Sequence, residues 1–255
     1  MITAILHLDL IIKMANSFDF DNNEVFISKE LLEIYNEIPQ YSLPQVLEKL
    51  NISQLNLRKY LLQIGCKTYS EFKEEISFEK AVRFEQFLQR YENFNQDKII
   101  SIMESLKEGK IDMAQMEDIC HLIHNSERLI VYGSPTLLNL FFDFQVDMKI
   151  FGKTVLMSSV NEGKMIIPKE NDCVVICSAT KRLLACCGAV FKKIVLEAPN
   201  KKIFMTKDKV VDEKMDYCLS TDTDNDYYEM HYMFLLYLDL IKTRYYELYI
   251  AGGTL

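Results

Sequence analysis

Ser53 is followed by Gln54, Asn56, Arg58 and Lys59, side chains able to address base edges and phosphates. Gln and Asn match the donor–acceptor edge of adenine, and Arg matches guanine. Ser53 stands where a hydroxyl caps a helix and where free backbone N–H groups can receive a phosphate. A second group lies in the other half of the chain: Gly133 with Ser134, Ser158 with Ser159, and Ser178 with Thr180 and Lys181. A glycine turn leading into a helix lets backbone N–H groups approach a phosphate, and hydroxyls add hydrogen bonds to its oxygens. Lys181 and Arg182 add charge that can pair with phosphate directly. Acid–base chemistry is thinly provided. The histidines are His7, His121, His124 and His231, and Glu162 is a single carboxylate after a strand. No catalytic residue is expected, and neither a phosphate-binding P-loop nor a dinucleotide fingerprint is present. The seven cysteines form no Cys-x-x-Cys pair. Buried reduced thiols are expected, with no metal site and no cofactor.

The elements that hold the first group read as short helices. Leu31, Ile34, Tyr35 and Ile38 share a helical face after Ser28, which reads as a cap, and Pro39 ends that stretch. Ser42 reads as the next N-cap, with Pro44 in the first turn, where its missing N–H costs nothing. Asn51-Ile52-Ser53 reads as a turn, and a further helix runs from Gln54 to about Ile64, with Gly65 in the left-handed C-terminal position. Two short helices across a tight turn make a helix-turn-helix, whose second helix enters the major groove of DNA by its N-terminal residues. A helical hairpin that merely packs is the alternative. Residues 69–109 read as one or two helices, with Phe84, Phe87, Leu88 and Tyr91 as an apolar seam.

From residue 110 the pattern alternates. Strands are expected at Leu129–Tyr132, Thr154–Met157, Asp172–Cys177, Lys202–Met205 and Tyr217–Ser220. Helices are expected at Met113–His124, Leu137–Ile150, 181–198 and Tyr227–Tyr249. The strands are continuous apolar runs, as in a parallel sheet covered on both faces. Gly133, Ser134, Ser158, Ser159 and Ser178 then fall at strand carboxyl ends, where open α/β sheets bind ligands.

Composition agrees with a two-domain globular chain: 255 residues, 49% hydrophobic, 26% charged. The net charge of −8, with 7 basic against 11 acidic side chains in residues 1–78, argues against a protein that coats nucleic acid without specificity. No apolar run is long enough to span a membrane, and the start of the chain lacks the basic residues and cleavage site of a signal peptide. Thiol usage fits a reducing compartment.

The run from Ser42 to Ser53, then Leu57-Arg58-Lys59-Tyr60, then Gly65 through Tyr69-Ser70-Glu71-Phe72-Lys73 resembles the N-terminal domain of RpiR-type transcriptional regulators. Leu62 and Gln63 stand where that family usually carries Arg and Lys, and Asn56 where it carries a small hydroxyl residue. Residues 128–159, with Tyr132-Gly133-Ser134, Asn139, Asp143, Gln145 and Lys149, are similar to the sugar-isomerase (SIS) domain that follows in those regulators. Pro135 replaces a second Gly and Leu137 a Ser, and the loop Ser178-Ala179-Thr180-Lys181-Arg182 keeps two of the hydroxyls of the family's Ser-x-Ser-Gly-x-Thr. The resemblance implies an α/β protein: an all-α helix-turn-helix domain over 1–80, a helical linker over 81–109, and a three-layer α/β/α SIS-like domain with a parallel sheet over 110–255. It implies a cytoplasmic, homodimeric or homotetrameric regulator that binds operator DNA through Ser53, Gln54, Asn56, Arg58 and Lys59. The implied effector is a sugar phosphate held by Gly133, Ser134, Ser158, Ser159, Ser178, Thr180 and Lys181. Two alternatives remain: a phosphosugar isomerase with a helical extension, and a dimeric scaffold without ligand sensing.

Overall fold

The computed structural model describes residues 7–17, 23–106, 111–160, 165–179, 188–207, 215–221 and 227–252. The chain divides into two compact units, Met1–Gln89 and Arg90–Leu255.

The first unit is helical: α1 His7–Ala15, α2 Asn23–Ile34, α3 Leu43–Leu50, α4 Gln54–Gln63, and α5 Tyr69–Asn93, which continues past the boundary. The core side chains Leu8, Ile11, Leu31, Tyr35, Val46, Leu57, Leu61 and Phe72 are buried. Glu79 on α5 is buried too; it accepts Leu8 N at 3.1 Å and the Tyr35 hydroxyl at 3.4 Å. Burial pushes its carboxyl up to about 7. Ser28 does not cap a helix. It lies inside α2, where its Oγ donates to Glu24 O at 2.7 Å and meets the Tyr60 hydroxyl at 2.8 Å. A mid-helix hydroxyl bonding back one turn replaces the cap expected from residue type.

The second unit begins with α6 Gln96–Leu106 and α7 Met113–Asn125. It then builds a five-stranded parallel sheet from β1 Arg128–Gly133, β2 Thr154–Ser159, β3 Cys173–Ser178, β4 Lys202–Thr206 and β5 Tyr217–Ser220. The strand order is β2-β1-β3-β4-β5, so the chain reverses its winding between β1 and β3. The helix expected at 137–150 starts earlier and is broken. A single turn, α8 Pro135–Leu138, gives way to a 3-10 turn at Asn139–Phe141 before α9 Phe142–Ile150. Of the helix expected at 181–198, residues 181–187 lie outside the described residues; α10 Ala189–Phe191 widens into a π-type turn, Lys192–Leu196. α11 Tyr227–Tyr249 follows the last strand.

Both sheet faces are covered, as the unbroken apolar runs required. Ile130, Tyr132, Val174, Ile176 and Phe204 meet Phe191, Val195 and Leu196 on one face. The alternate residues Leu129, Val131, Val155, Val175 and Met205 are equally buried on the other. There α8 packs on β1, β2 and β3, and α9 on β2. This is the α/β class read from the sequence.

Candidate functional site

Local chemistry fixes the α3–α4 pair. Gln45 Oε1 accepts Ser42 N at 2.8 Å, and a proline occupies the first turn of α3. Asn51 ends α3 at φ 51° and ψ 46°, left-handed backbone that Asn tolerates better than most residues. Ile52 N then closes on Leu47 O at 3.2 Å. Ser53 caps α4, accepting Asn56 N at 3.2 Å. Gly65, at φ +94°, turns the chain away, and Cys66 N bonds Leu61 O at 2.8 Å. Val46, Leu50, Leu57, Tyr60, Leu61 and Ile64 form the buried side of the pair.

The segment Tyr69–Lys73, prominent in the sequence, is a clasp. The Tyr69 hydroxyl donates to Tyr41 O at 3.1 Å, and Lys73 Nζ to the same carbonyl at 3.0 Å. Phe72 is fully buried, and Glu71 Oε2 accepts Lys67 N at 2.7 Å. The clasp ties the start of α5 to the chain that enters α3.

Five side chains are exposed on α4: Gln54, Arg58, Lys59, Leu62 and Leu55, in addition to Gln63 at its end. Asn56 is half-buried beside the Ser53 cap, so it is less open than its neighbours. Leu55 and Leu62 are 61% and 54% exposed, and neither is expected at this surface from residue type. Helical spacing explains their position: they lie seven residues apart, on the side away from Leu57 and Leu61. A cleft of about 320 Å³ is lined by Leu57 and Leu61 together with Gln54, Arg58, Lys67 and Thr68. α4 holds two cations and no carboxylate, although its unit is acidic; Gln63 bonds the Glu24 carboxylate at 3.2 Å.

In the second unit Gly133, Ser158, Ser159 and Ser178 are the closing residues of their strands rather than residues beyond them. They sit at the carboxyl ends, with β1 and β3 at the point where the winding reverses. Consecutive strand residues face opposite ways, so Ser158 and Ser159 cannot both face one ligand. Ser158 is fully buried and accepts Ile166 N at 3.0 Å, a brace for the chain after β2. Ser159 pairs across to Gly133, and Ser178 to Thr206 on β4. Ser134 caps α8 through its backbone, with Leu137 N and Leu138 N both 3.0 Å from its carbonyl. Thr180 and Lys181 lie outside the described residues.

Gly133 is required by a close approach. A Cβ there would meet Cys177 O at 3.0 Å and Leu138 Cδ2 at 3.4 Å. Gly133→Ala is therefore expected to destabilise the second unit by about 1–3 kcal/mol through overpacking. Urea unfolding followed by circular dichroism measures it, and unchanged stability would show that β1 and β3 separate freely.

The histidines are not gathered at the strand carboxyl ends. His124 closes α7 just before β1, at the opposite pole of the sheet, and stacks on Tyr249 with ring centroids 3.7 Å apart. Burial, then the nearby Lys153 charge, holds His124 below the ordinary histidine value. His121 on the same helix bonds the Tyr249 hydroxyl. His231 lies in the first turns of α11, and His7 belongs to the first unit. Cys173 and Cys177 are fully buried inside β3, and burial pushes the Cys173 thiol up to about 12. Among the described residues no cluster of His, Cys, Asp or Glu can hold a metal ion.

The charged centre of this unit is invisible in the sequence. Lys242 on α11, with its side chain 5% exposed, contacts Asp143, Asp147 and Asp239, each at 2.9 Å. Arg90 reaches Asp147 Oδ1 and Oδ2 at 2.9 and 2.8 Å and Asp143 at 2.9 Å.

No protein-family model matches this chain, and no curated protein matches it. Solved structures do. The Vibrio vulnificus NanR protein complexed with ManNAc-6P is similar over 94% of this chain and 92% of its own, at 14% identity and a TM-score of 0.43. The Methanococcus jannaschii protein MJ1247, whose structure infers a 3-hexulose-6-phosphate isomerase function, is similar over 61% of this chain and 89% of its own, at 16% identity and a TM-score of 0.45.

Proposed function

We propose that this chain is a transcriptional regulator: the α3–α4 pair binds operator DNA, and the carboxyl ends of β1–β3 bind a phosphorylated sugar. The observation that carries the reading is α4 itself. It is capped by Ser53, held from behind by buried Leu57, Tyr60 and Leu61, and its open side bears Gln54, Arg58 and Lys59 with no carboxylate. Such a face suits base edges and phosphates together. Ser53, with α4's free N–H groups, takes a phosphate, and Asn56 reaches a base at the edge of the contact.

The effector site rests on the strand order. Gly133 with Ser134, Ser159 and Ser178 come from the ends of three adjacent strands around the reversal of winding, and Thr180 and Lys181 follow Ser178 in the sequence. A dianionic phosphate accepts several hydrogen bonds there, and charge-assisted bonds are about twice as strong as neutral ones. Ser158 supports this arrangement as a brace. The regulator works as a homodimer or homotetramer in the cytoplasm, its two-fold symmetry matching paired half-sites on DNA. Ligand favours one arrangement of the assembly and so changes the spacing of the two α4 helices. No described helix is long and apolar enough to cross a membrane. The isomerase reading is second. It needs an acid–base group at the phosphate, and His121 and His124 lie on the helix before β1 instead.

A thermal-shift panel of hexose, pentose and amino-sugar phosphates tests the effector site. The matching ligand at 100 times its dissociation constant adds about 2.7 kcal/mol of stability, and Ser178→Ala removes the shift. A panel without a hit leaves the scaffold reading. Turnover of a phosphosugar at roughly 1–1000 per second, the ordinary enzyme range, would replace the regulator with the isomerase.

A further inference from the structure

We infer that Leu55, with Leu62 extending the same strip, reads thymine methyl groups in the DNA major groove, so that the preferred operator half-site is rich in thymine. The inference rests on the DNA-binding reading of α4 and adds what the exposed apolar side chains recognise.

A single exposed leucine needs no explanation. This pair is different in its setting. Among the described residues of the first unit, the large exposed hydrophobics are Phe26, Leu55, Leu62 and Phe78, and α4 is the element that holds two. Leu55 and Leu62 are two helical turns apart on one side, about 10 Å along the axis. Arg58 and Lys59 stand exposed between them. Arg58 also lines a cleft with Lys67, and α4 carries no carboxylate.

A surface that is both cationic and apolar fits a partner that is both anionic and methyl-bearing. Duplex DNA is such a partner: phosphates line the groove, and thymine places its 5-methyl group on the groove floor. Leu55 is the second residue of α4, in the turn that enters the groove first. Gln54, directly before it, can take the N6 and N7 edge of an adenine, whose paired base is again a thymine. Removing one methyl from contact costs about 0.8 kcal/mol. At 1.4 kcal/mol per tenfold, that is about a fourfold loss of affinity for each methyl contacted.

The test removes methyl groups from the DNA and leaves the protein intact. The full-length protein selects its tightest duplexes from a random-sequence pool, and the best duplex is remade with deoxyuridine in place of each thymine singly. Fluorescence anisotropy compares the dissociation constants. The expected result is one or more positions per half-site with about a fourfold loss, and the disappearance of that loss in Leu55→Ala. Equal affinity for the thymine and uracil duplexes overturns the inference while DNA binding by α4 stands. A pool that yields no enriched sequence overturns the DNA-binding reading itself, and the inference with it. If Leu55→Ala and Leu62→Ala change the protein's self-association and leave the thymine–uracil difference intact, the strip is a protein-docking face and the inference is wrong.

Discussion

Lys242→Met is expected to destabilise the second unit by about 3–5 kcal/mol, the usual cost of removing one partner from a buried ion pair. Lys242 lies among three carboxylates at 2.9 Å, and its side chain and that of Asp147 are 5% and 1% exposed. Methionine fills a similar volume and leaves those negative charges with less compensation. Arg90 still holds Asp147 through two bonds, so the loss falls short of an isolated buried charge. The variant Lys242→Met with Asp147→Asn is expected to recover part of the loss, because it removes the charge left behind. The network also sets a pH range. Burial pulls the Lys242 ammonium down, but Asp147, Asp239 and Asp143 outweigh it and hold the group above the ordinary lysine value. Its contribution is fully present below the unfolded lysine value near about 10.4 and fades as pH rises through the folded value. Burial pushes the Asp143 carboxyl up, but Lys242 and Arg90 outweigh it and hold the group below the usual carboxylate value. Its contribution is present above the unfolded value near about 3.9 and is lost as pH falls through the folded one. Urea unfolding of wild type and variant at pH values within these limits and beyond each of them measures both effects. A variant as stable as wild type would show that Arg90 alone balances the carboxylates.

Much of the α3–α4 pair is legible in the sequence because its signals are local. Ser42, Pro44, Asn51, Ser53 and Gly65 each act within one turn of their own position, and each stands in the place expected of it. The five strands are legible for the same kind of reason. Apolar runs of four to six residues between breakers leave few alternatives when both faces are covered. Leu55 and Leu62 escape a sequence reading because leucine at helical spacing looks like core. Only packing shows that Leu57 and Leu61 face inward while their neighbours face out. The Arg90–Asp143–Lys242 network is hidden by sequence separations of 53 and 99 residues. Ser28 misleads because a hydroxyl before an apolar stretch looks the same whether it caps a helix or bonds back inside one. The first three strands run one or two residues further than their apolar runs suggest. That turns Ser158 from a loop hydroxyl into a buried brace, because the alternation of a strand then applies to it.

Salt-dependent DNA binding by Arg58→Ala measures most directly whether α4 reads DNA, as proposed. Arg58 is exposed at the rim of the cleft, so its truncation leaves the buried Leu57 and Leu61 in place. A base-reading Arg contributes about 1–3 kcal/mol. A dimer presents it twice, so the expected loss on the selected duplex is about 2–6 kcal/mol per dimer. Lys59→Ala, by contrast, is expected to weaken all sequences alike and to lower the salt slope by about 1 for each phosphate contact removed. Fluorescence anisotropy at salt concentrations from about 50 to 200 mM separates the two, because affinity tracks phosphate contacts over that range. Arg58→Ala, still folded by circular dichroism, is expected to lose the preference for the selected duplex over random DNA. Retention of full affinity and full preference by the folded Arg58→Ala and Lys59→Ala proteins would show that α4 does not read DNA.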